Sequence, residues 1–358
     1  MKNSFIKSLA LIPLSWGLVS RATAQSDNGT FALSGYLESY YLYDLHEPED
    51  HQRPYFLYNH IRHNEFSVNL AYLKGTYQGE KLRANLAFMA GTYAQYNLSA
   101  EEDMLKHLYE ANIGLRLGAG TWLDAGVLPS YIGFESAASQ SCWTLTRSIG
   151  AENSPYYLTG VKLTHQVGEK WTLAATINNG WQRIRRVEGN STPGVGTQVQ
   201  FSPNENILLN SSTFIGNDKP DSVRQMRYFH NFYGIFQLTD NFGLAAGFDI
   251  GWEEKPGTEG FNNWFSPVLI GRYRFSEKIS VAIRGEYYQD EAGVMIGTGT
   301  PNGFKTFGYS LNLDYAPVRN ALLRIEGRRM DSKDAVFGIA GEAARHNTSL
   351  AASFSVSF

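Results

Sequence analysis

Charged residues in the second half of the chain fall where they could order polar solutes. Arg272, Arg274, Arg284, Arg324 and Arg328 are spread over three patterned segments, with Glu286 and Glu326 in two of these and Asp314 in a fourth. Upstream, the longest break between patterned segments, 131–155, contributes Glu135, Arg147 and Glu152. Opposed charges held across a narrow, water-filled gap set up a field that orients dipolar solutes and tunes ion preference. The same residues allow a plainer arrangement, in which the arginines pair with Glu286, Asp314 and Glu326 along adjacent strands. Spacing leaves both readings open, and the two are compatible.

Reaction chemistry has less footing. The chain has no G-x-S-x-G and no H-E-x-x-H, and no histidine shares a mid-strand face with a serine. His165 with Thr159 or Thr164 is the one pairing available, and Thr164 belongs to the opposite face. His46, His51, His60 and His63 cluster beside Glu47, Glu49 and Asp50, but Pro48 and Pro54 break the stretch. It reads as a solvated loop touching lipopolysaccharide or a neighbouring subunit rather than a metal site. No organic cofactor is implied. A formal charge of −3 with mixed signs gives no nucleic-acid surface, and the single Cys142 forbids an internal disulfide.

Such charges need a scaffold, and the hydrophobic pattern supplies one. Alternation of period 2 runs through Phe31–Tyr43, Asn64–Tyr77, Lys81–Tyr93, His107–Leu117, Thr121–Ser130, Tyr156–Val167, Trp171–Asn179 and Val195–Phe201. It continues through Ile207–Phe214, Arg227–Leu238, Phe242–Trp252, Asn263–Phe275, Ile279–Gln289, Phe304–Tyr315, Leu322–Met330 and Thr348–Phe358. Short Gly-, Asn-, Asp- or Pro-containing hinges alternate with long polar breaks. Successive strand residues face opposite sides, so each segment has an apolar and a polar face. This predicts an all-β transmembrane antiparallel barrel of about sixteen strands, with short periplasmic turns and long external loops.

Charge placement is the sharper test, because a basic residue facing lipid at mid-membrane costs about 2–4 kcal/mol. Arg284 and Glu286 oppose Ile283 and Tyr287, and Arg324, Glu326 and Arg328 oppose Leu323 and Ile325. Lys74, Arg329 and His165 fall on the apolar parity, all near predicted strand ends. Arg227–Leu238 stays ambiguous, since Phe229 and Tyr233 share the parity of Arg227. The polar faces argue for a water-filled lumen. Tyr40, Tyr41, Trp122, Trp171, Trp252, Trp264 and Tyr315 are expected in the two interfacial aromatic girdles.

The ends agree. Residues 1–24 read as a secretory signal peptide, with Lys2 and Lys7, an apolar run and Ala22-Thr23-Ala24 before Gln25. Residues 25–358 are then a single outer-membrane domain, with no plug ahead of its first strand. At the other end, Leu350, Ala352, Phe354, Val356 and Phe358 share one face, and serines with Ala351 share the other. Phe354, Val356 and Phe358 are expected to be read by the barrel-assembly machinery through strand addition.

Particular runs carry a family likeness. Gly126 to Glu135 reads G-V-L-P-S-Y-I-G-F-E, then come Ser154-Pro155-Tyr156-Tyr157-Leu158-Thr159-Gly160-Val161 and Ile177-Asn178-Asn179-Gly180-Trp181. Leu311 to Pro317 reads L-N-L-D-Y-A-P, and Leu323 to Ser332 reads L-R-I-E-G-R-R-M-D-S. This succession resembles the putative β-barrel porin-2 family of Gram-negative outer membranes, from about Gly35 to Phe358. The family carries a basic or bulky residue after the glycine matching Gly126, where this chain has Val127 and Leu128. The resemblance implies passive diffusion of small hydrophilic solutes and ions, with no catalytic residue to transfer. General porins fold their third loop inward and trimerise, so 131–155 is expected to form a constriction and a homotrimer is compatible. A scaffold or adhesin barrel with a closed lumen, or an outer-membrane hydrolase, is the alternative.

Overall fold

Sixteen long strands follow the alternating segments and close on themselves. The computed structural model describes residues 25–26, 29–339 and 342–358, so the expected signal peptide lies outside the described residues. The strands are β1 Gly29–Asp44, β2 Phe66–Gly79, β3 Leu82–Ala90, β4 Leu108–Gly118, β5 Thr121–Pro129, β6 Tyr157–Val167, β7 Trp171–Asn178 and β8 Gly194–Asn204. They continue as β9 Ile207–Asn217, β10 Met226–Gln237, β11 Phe242–Glu254, β12 Phe261–Arg274, β13 Ile279–Asp290, β14 Phe304–Val318, β15 Ala321–Ser332 and β16 His346–Ser357. Each pairs antiparallel with the next, and β16 returns to β1 from Ser349 opposite Asp44 to Ser357 opposite Tyr36. Closure leaves no free edge. A two-residue strand, Gln25–Ser26, leans on the start of β1, and a small hairpin, Phe337–Ile339 with Glu342–Ala344, sits outside the barrel sheet.

Turns of a few residues alternate with longer connections: L1 (45–65), L2 (91–107), L3 (130–156), L4 (179–193), L5 (218–225), L6 (255–260), L7 (291–303) and L8 (333–345). Outward positions form an apolar belt that includes Leu73, Phe88, Ile113, Ile177, Leu269, Ile283, Leu311, Ile325 and Leu350, all exposed. A contiguous apolar surface of this kind requires lipid.

Three sequence expectations change in the structure. β3 stops at Ala90 because Gly91 takes φ 115° and a short helix follows, α1 Thr92–Asn97, burying Tyr93 in the lumen. Lys74 is not on the lipid face. A bulge pairs Ser39 with Val68 but Glu38 with Leu70, so Asn69 is the extra residue and the parity of β2 flips beyond it. Lys74 thereby points inward, 2.8 Å from Glu110. Among the expected girdle aromatics, Tyr40 and Trp264 turn inward and are buried, and Trp122 lies under the lumenal Arg83 guanidinium at 4.3 Å. The Trp264 ring fills the space beside Gly251, where any Cβ would collide with it.

The ambiguous segment also resolves. In β10, Arg227, Phe229, Asn231 and Tyr233 are buried, while His230 and Phe232 are exposed. Phe229 is tolerated inside because the outer mouth of the lumen is itself apolar. It meets Trp181 of L4, at a centroid distance of 4.8 Å, and belongs to a cluster with Phe56 and Leu57 of L1 and Phe304. Arg329 does face outward, but near the strand end, where Asp331 pairs with it at 2.9 Å.

Candidate constriction site

L3 lies inside the barrel and is built for close packing. Its middle, Ser136 to Ser148, is dominated by alanine, serine and threonine, so the backbone can approach the wall and needs partners for its own polar groups. Part of the demand is met internally. Arg147, fully buried, donates to the carbonyls of Ser136, Ala137 and Leu145 and draws the two limbs of the loop together. Ser148 caps the short helix α2 Ile149–Glu152, its Oγ accepting from Ala151 N at 3.2 Å. Glu135 accepts from the Ser148 N–H at 3.1 Å and from its hydroxyl.

The wall of β13 to β15 meets the rest. Arg284 donates Nη1 to the Thr146 carbonyl at 2.6 Å and to Thr144 Oγ1 at 3.0 Å, and Nη2 to Glu326 at 2.9 Å. Glu326 accepts from Thr146 N and Oγ1. Arg324 is gripped by Asp314 at 2.7 and 3.0 Å and reaches the carbonyls of Ser139, Thr144 and Cys142 at 2.6 to 3.1 Å. Arg328 donates to the Arg147 carbonyl at 3.0 Å and to Glu286 at 2.7 Å. Glu286 also accepts from Ile149 N at the start of α2. These guanidinium groups are buried, so each donor left unpaired would carry a large desolvation penalty.

Nine of the sequence-selected charges therefore form one connected assembly with the loop: Glu135, Arg147, Arg284, Glu286, Asp314, Arg324, Glu326, Arg328 and, through L1, Glu152. The Glu152 carboxylate accepts from the N–H groups of Tyr58 and Asn59 at 2.9 and 3.1 Å and from Asn59 Nδ2 at 3.0 Å, tying L3 to L1. Arg272 joins differently, its guanidinium stacked 4.6 Å over the Trp143 ring. Arg274 ends β12 at the periplasmic turn and donates to the Asp240 carbonyl.

Sequence reading missed the uncharged partners. Asn312 accepts from Leu145 N at 3.0 Å, and Ser139 bonds Glu38 of β1. At the base of the loop, the Tyr131 carbonyl takes Ser212 Oγ and Gln198 Nε2, and Gly133 N donates to Asn231. The inward parity of these residues was readable, but which of them L3 would touch depends on how the loop crosses the barrel.

Burial sets the titration of the loop groups. It raises Glu135 above the ordinary carboxylate value, against the pull of Arg284, Ser148 and Arg147. It raises the Cys142 thiol too, which keeps that cysteine protonated and unreactive. His46 and His63 of L1 are lowered, again by burial, and favour the neutral ring. Among the described residues, no group of three or more His, Cys, Asp or Glu side chains is arranged to hold a metal ion.

Residues 30–358 match the model of a family described as putative beta-barrel porin-2, OmpL-like. The chain belongs to that family. It is an outer-membrane porin, a channel for passive diffusion. No curated protein matches this porin in sequence. Its fold is similar to an anion-selective porin from Comamonas acidovorans, at 10% identity and TM-score 0.60, covering 92% of this chain and 100% of that one. It is also similar to the outer-membrane channel DcaP of Acinetobacter baumannii, at 11% identity and TM-score 0.62, covering 93% and 99%. The trimer form of in-vitro folded OmpT from Vibrio cholerae aligns at 11% identity and TM-score 0.62, covering 93% and 100%.

Proposed function

We propose that small hydrophilic solutes and ions diffuse through a lumen narrowed by L3, and that Arg284, Arg324 and Arg328 act chiefly as staples holding that loop. The observation that carries this reading is that each of these arginines bonds both a loop carbonyl and a wall carboxylate. Free arginines would speak for a field acting on solutes, whereas stapled ones speak for a fixed aperture. Replacing Arg284 and Arg324 together with serine separates the two. A released loop gives larger single-channel conductance and admits larger sugars. A field without a staple gives a changed reversal potential at unchanged conductance, and that result would reject the reading.

No catalytic role is assigned. His60 of L1 contacts Glu38 of β1 at 3.3 Å, and both side chains are fully buried away from solvent. A closed scaffold is the second reading, favoured by the apolar cluster at the outer mouth, where Phe56, Leu57, Trp181, Phe214 and Phe304 are buried together. Absence of any conductance from purified protein in a planar bilayer would select it.

Assembly into a homotrimer has a specific support. In the otherwise apolar belt, the outward face of β8 to β10 carries Thr197, Ser211, Thr213 and His230. Ser211 bonds His230 at 2.9 Å and Thr197 bonds Thr213 at 2.8 Å. Polar side chains at mid-strand facing lipid are unfavourable unless protein covers them. A second copy of this chain is the occupant in our reading. His230→Leu should leave the barrel folded and alter the trimer fraction in mild detergent. L1 folds inward, with His46, His60 and His63 buried, rather than forming the solvated loop its sequence suggests; its exposed stretch from Glu49 to His51 reads as the part facing lipopolysaccharide, and residues 1–24 as the segment removed on export.

The barrel-assembly machinery reading rests on the last strand. Phe354 and Phe358 are exposed on the outer face, and the Phe358 backbone closes the seam with Gly35 through hydrogen bonds of 2.7 and 3.0 Å. Deleting Phe358 should lower the yield of heat-modifiable barrel in cells more than the stability of the barrels that form. Equal yields from both chains would reject it.

A further inference from the structure

L3 does not fill the lumen evenly. On the side of β13 to β15 it is bonded along its length. Between the loop and the adjoining strands β10 to β12 lies a narrow cavity of about 20 Å³. Its polar lining comes from Glu135, Ser148 and Ser154 on the loop and from Asn231, Asp249 and Ser266 on the wall. No arginine or lysine lines it. That volume holds one or two waters, too little for a solute but enough to mark where loop and wall are not sealed together.

We propose that the permeation path through the constriction runs along this seam, and that its lining makes the porin prefer cations. The assignment deepens the diffusion reading above and rests on it.

Two further observations point to a ligand there. Ser266 is 2% exposed and its Oγ, which lines the cavity, has no hydrogen-bond partner. A buried hydroxyl in that state lacks a water or ion to bind. Asp249 is anchored through Oδ1, which accepts from Asn231 Nδ2 at 2.6 Å. Its other oxygen faces Gly150: a Cβ added at Gly150 would stand 3.5 Å from Asp249 Oδ2 and 2.8 Å from Ser266 Oγ. The absence of a side chain at Gly150 is therefore what lets the loop stand this close to hydroxyl and carboxylate while leaving the space between them open. Hard oxygen donors without a facing cation suit a partly dehydrated alkali or alkaline-earth ion.

The positive charges nearby are turned away. Arg284 and Arg147 bear on Glu135 electrostatically, but the hydrogen bonds of their N–H groups go to loop hydroxyls and carbonyls and to Glu326, none of which lines the cavity. An ion in the seam would thus meet carboxylate and hydroxyl oxygens directly, with no guanidinium group in the lining.

Reversal potentials of the full-length, refolded porin in a potassium chloride gradient test this, with Asp249→Asn and Gly150→Ala beside the unaltered chain. Folding of each variant is checked by heat-modifiable migration. The unaltered porin should be cation-preferring. Asp249→Asn should lower the cation-to-anion permeability ratio several-fold at similar conductance, and Gly150→Ala should cut conductance. An anion-preferring porin, or a ratio and conductance unmoved in both variants, overturns the proposal and leaves diffusion standing. If the unaltered porin carries no current at all, the diffusion reading itself fails. Should Asp249→Asn not fold, Gly150→Ala decides alone: unchanged conductance places the path elsewhere.

Discussion

The two walls facing L3 hold it by different means. β13 to β15 offer paired arginines and carboxylates, each guanidinium spanning a loop carbonyl and an acid one or two strands away. β10 to β12 hydrogen-bond the loop at its base through Asn231 and otherwise meet it by packing, with Arg272 stacked over Trp143 and Phe134 against Tyr233, while a hydroxyl and a carboxylate face the cavity. The first wall excludes water and fixes position. The second leaves room. A loop bonded equally on both sides would be a plug, and one bonded on neither would be a mobile strand of chain. Asymmetry of attachment turns a buried loop into one edge of an aperture.

The widest break in this comparison comes from the strong wall. Arg284→Ser with Arg324→Ser strands Glu326 and Asp314 as buried, unpaired acids, and each broken pair should destabilise loop docking by about 3–5 kcal/mol. The sixteen-strand ladder is untouched, so circular dichroism should still report a barrel while conductance and the sugar cutoff rise. Conductance unchanged in a folded double variant would mean that the arginines do not hold L3.

Arg147→Lys should act in the same direction more weakly. A lysine keeps the charge but cannot reach three carbonyls in one plane, so the limbs at Ser136 and Leu145 separate while the wall bonds remain. Frequent brief closures in single-channel records are the expected result. Glu152→Gln should release L1 from L3 at about 1–3 kcal/mol. Its readout is faster proteolysis within 45–65 on intact vesicles, with ion preference unchanged.

The smallest effect belongs to pH. Burial raises Glu135, so proton binding favours the docked loop over the free one. That contribution is complete below the ordinary carboxylate value and fades as pH rises through the raised one. Arg284, Arg147 and Ser148 face Glu135 from wall and loop, and Asp249 lies across the cavity. Open-channel noise should therefore grow modestly as pH rises from the ordinary carboxylate range through the raised Glu135 value. A flat profile would show that Glu135 keeps one protonation state throughout.

Strand existence and most strand limits were readable because lipid outside and polar groups inside impose period 2 on every spanning segment. Where the reading slipped, the cause was local. One extra residue at Asn69 inverted the face assigned to Lys74, and no pattern in the sequence announces a bulge. Tyr40, Trp264 and Phe229 were misleading for another reason. Aromatic residues are at home both in an interfacial girdle and in an apolar mouth, so residue type could not choose between them.

What the amino-acid order determined by itself was the barrel, its turns and the inward placement of Arg284, Glu286, Asp314, Arg324, Glu326 and Arg328, since alternation needs only neighbours along the chain. Tertiary structure alone decided what those charges do. The segment 131–155 reaches residues more than a hundred positions away, and its hydrogen bonds exist only after the sheet has closed around it. That is why one composition could be read as a field or as pairs along adjacent strands, and why the unsealed side beside Asp249 and Ser266 left no mark in the sequence.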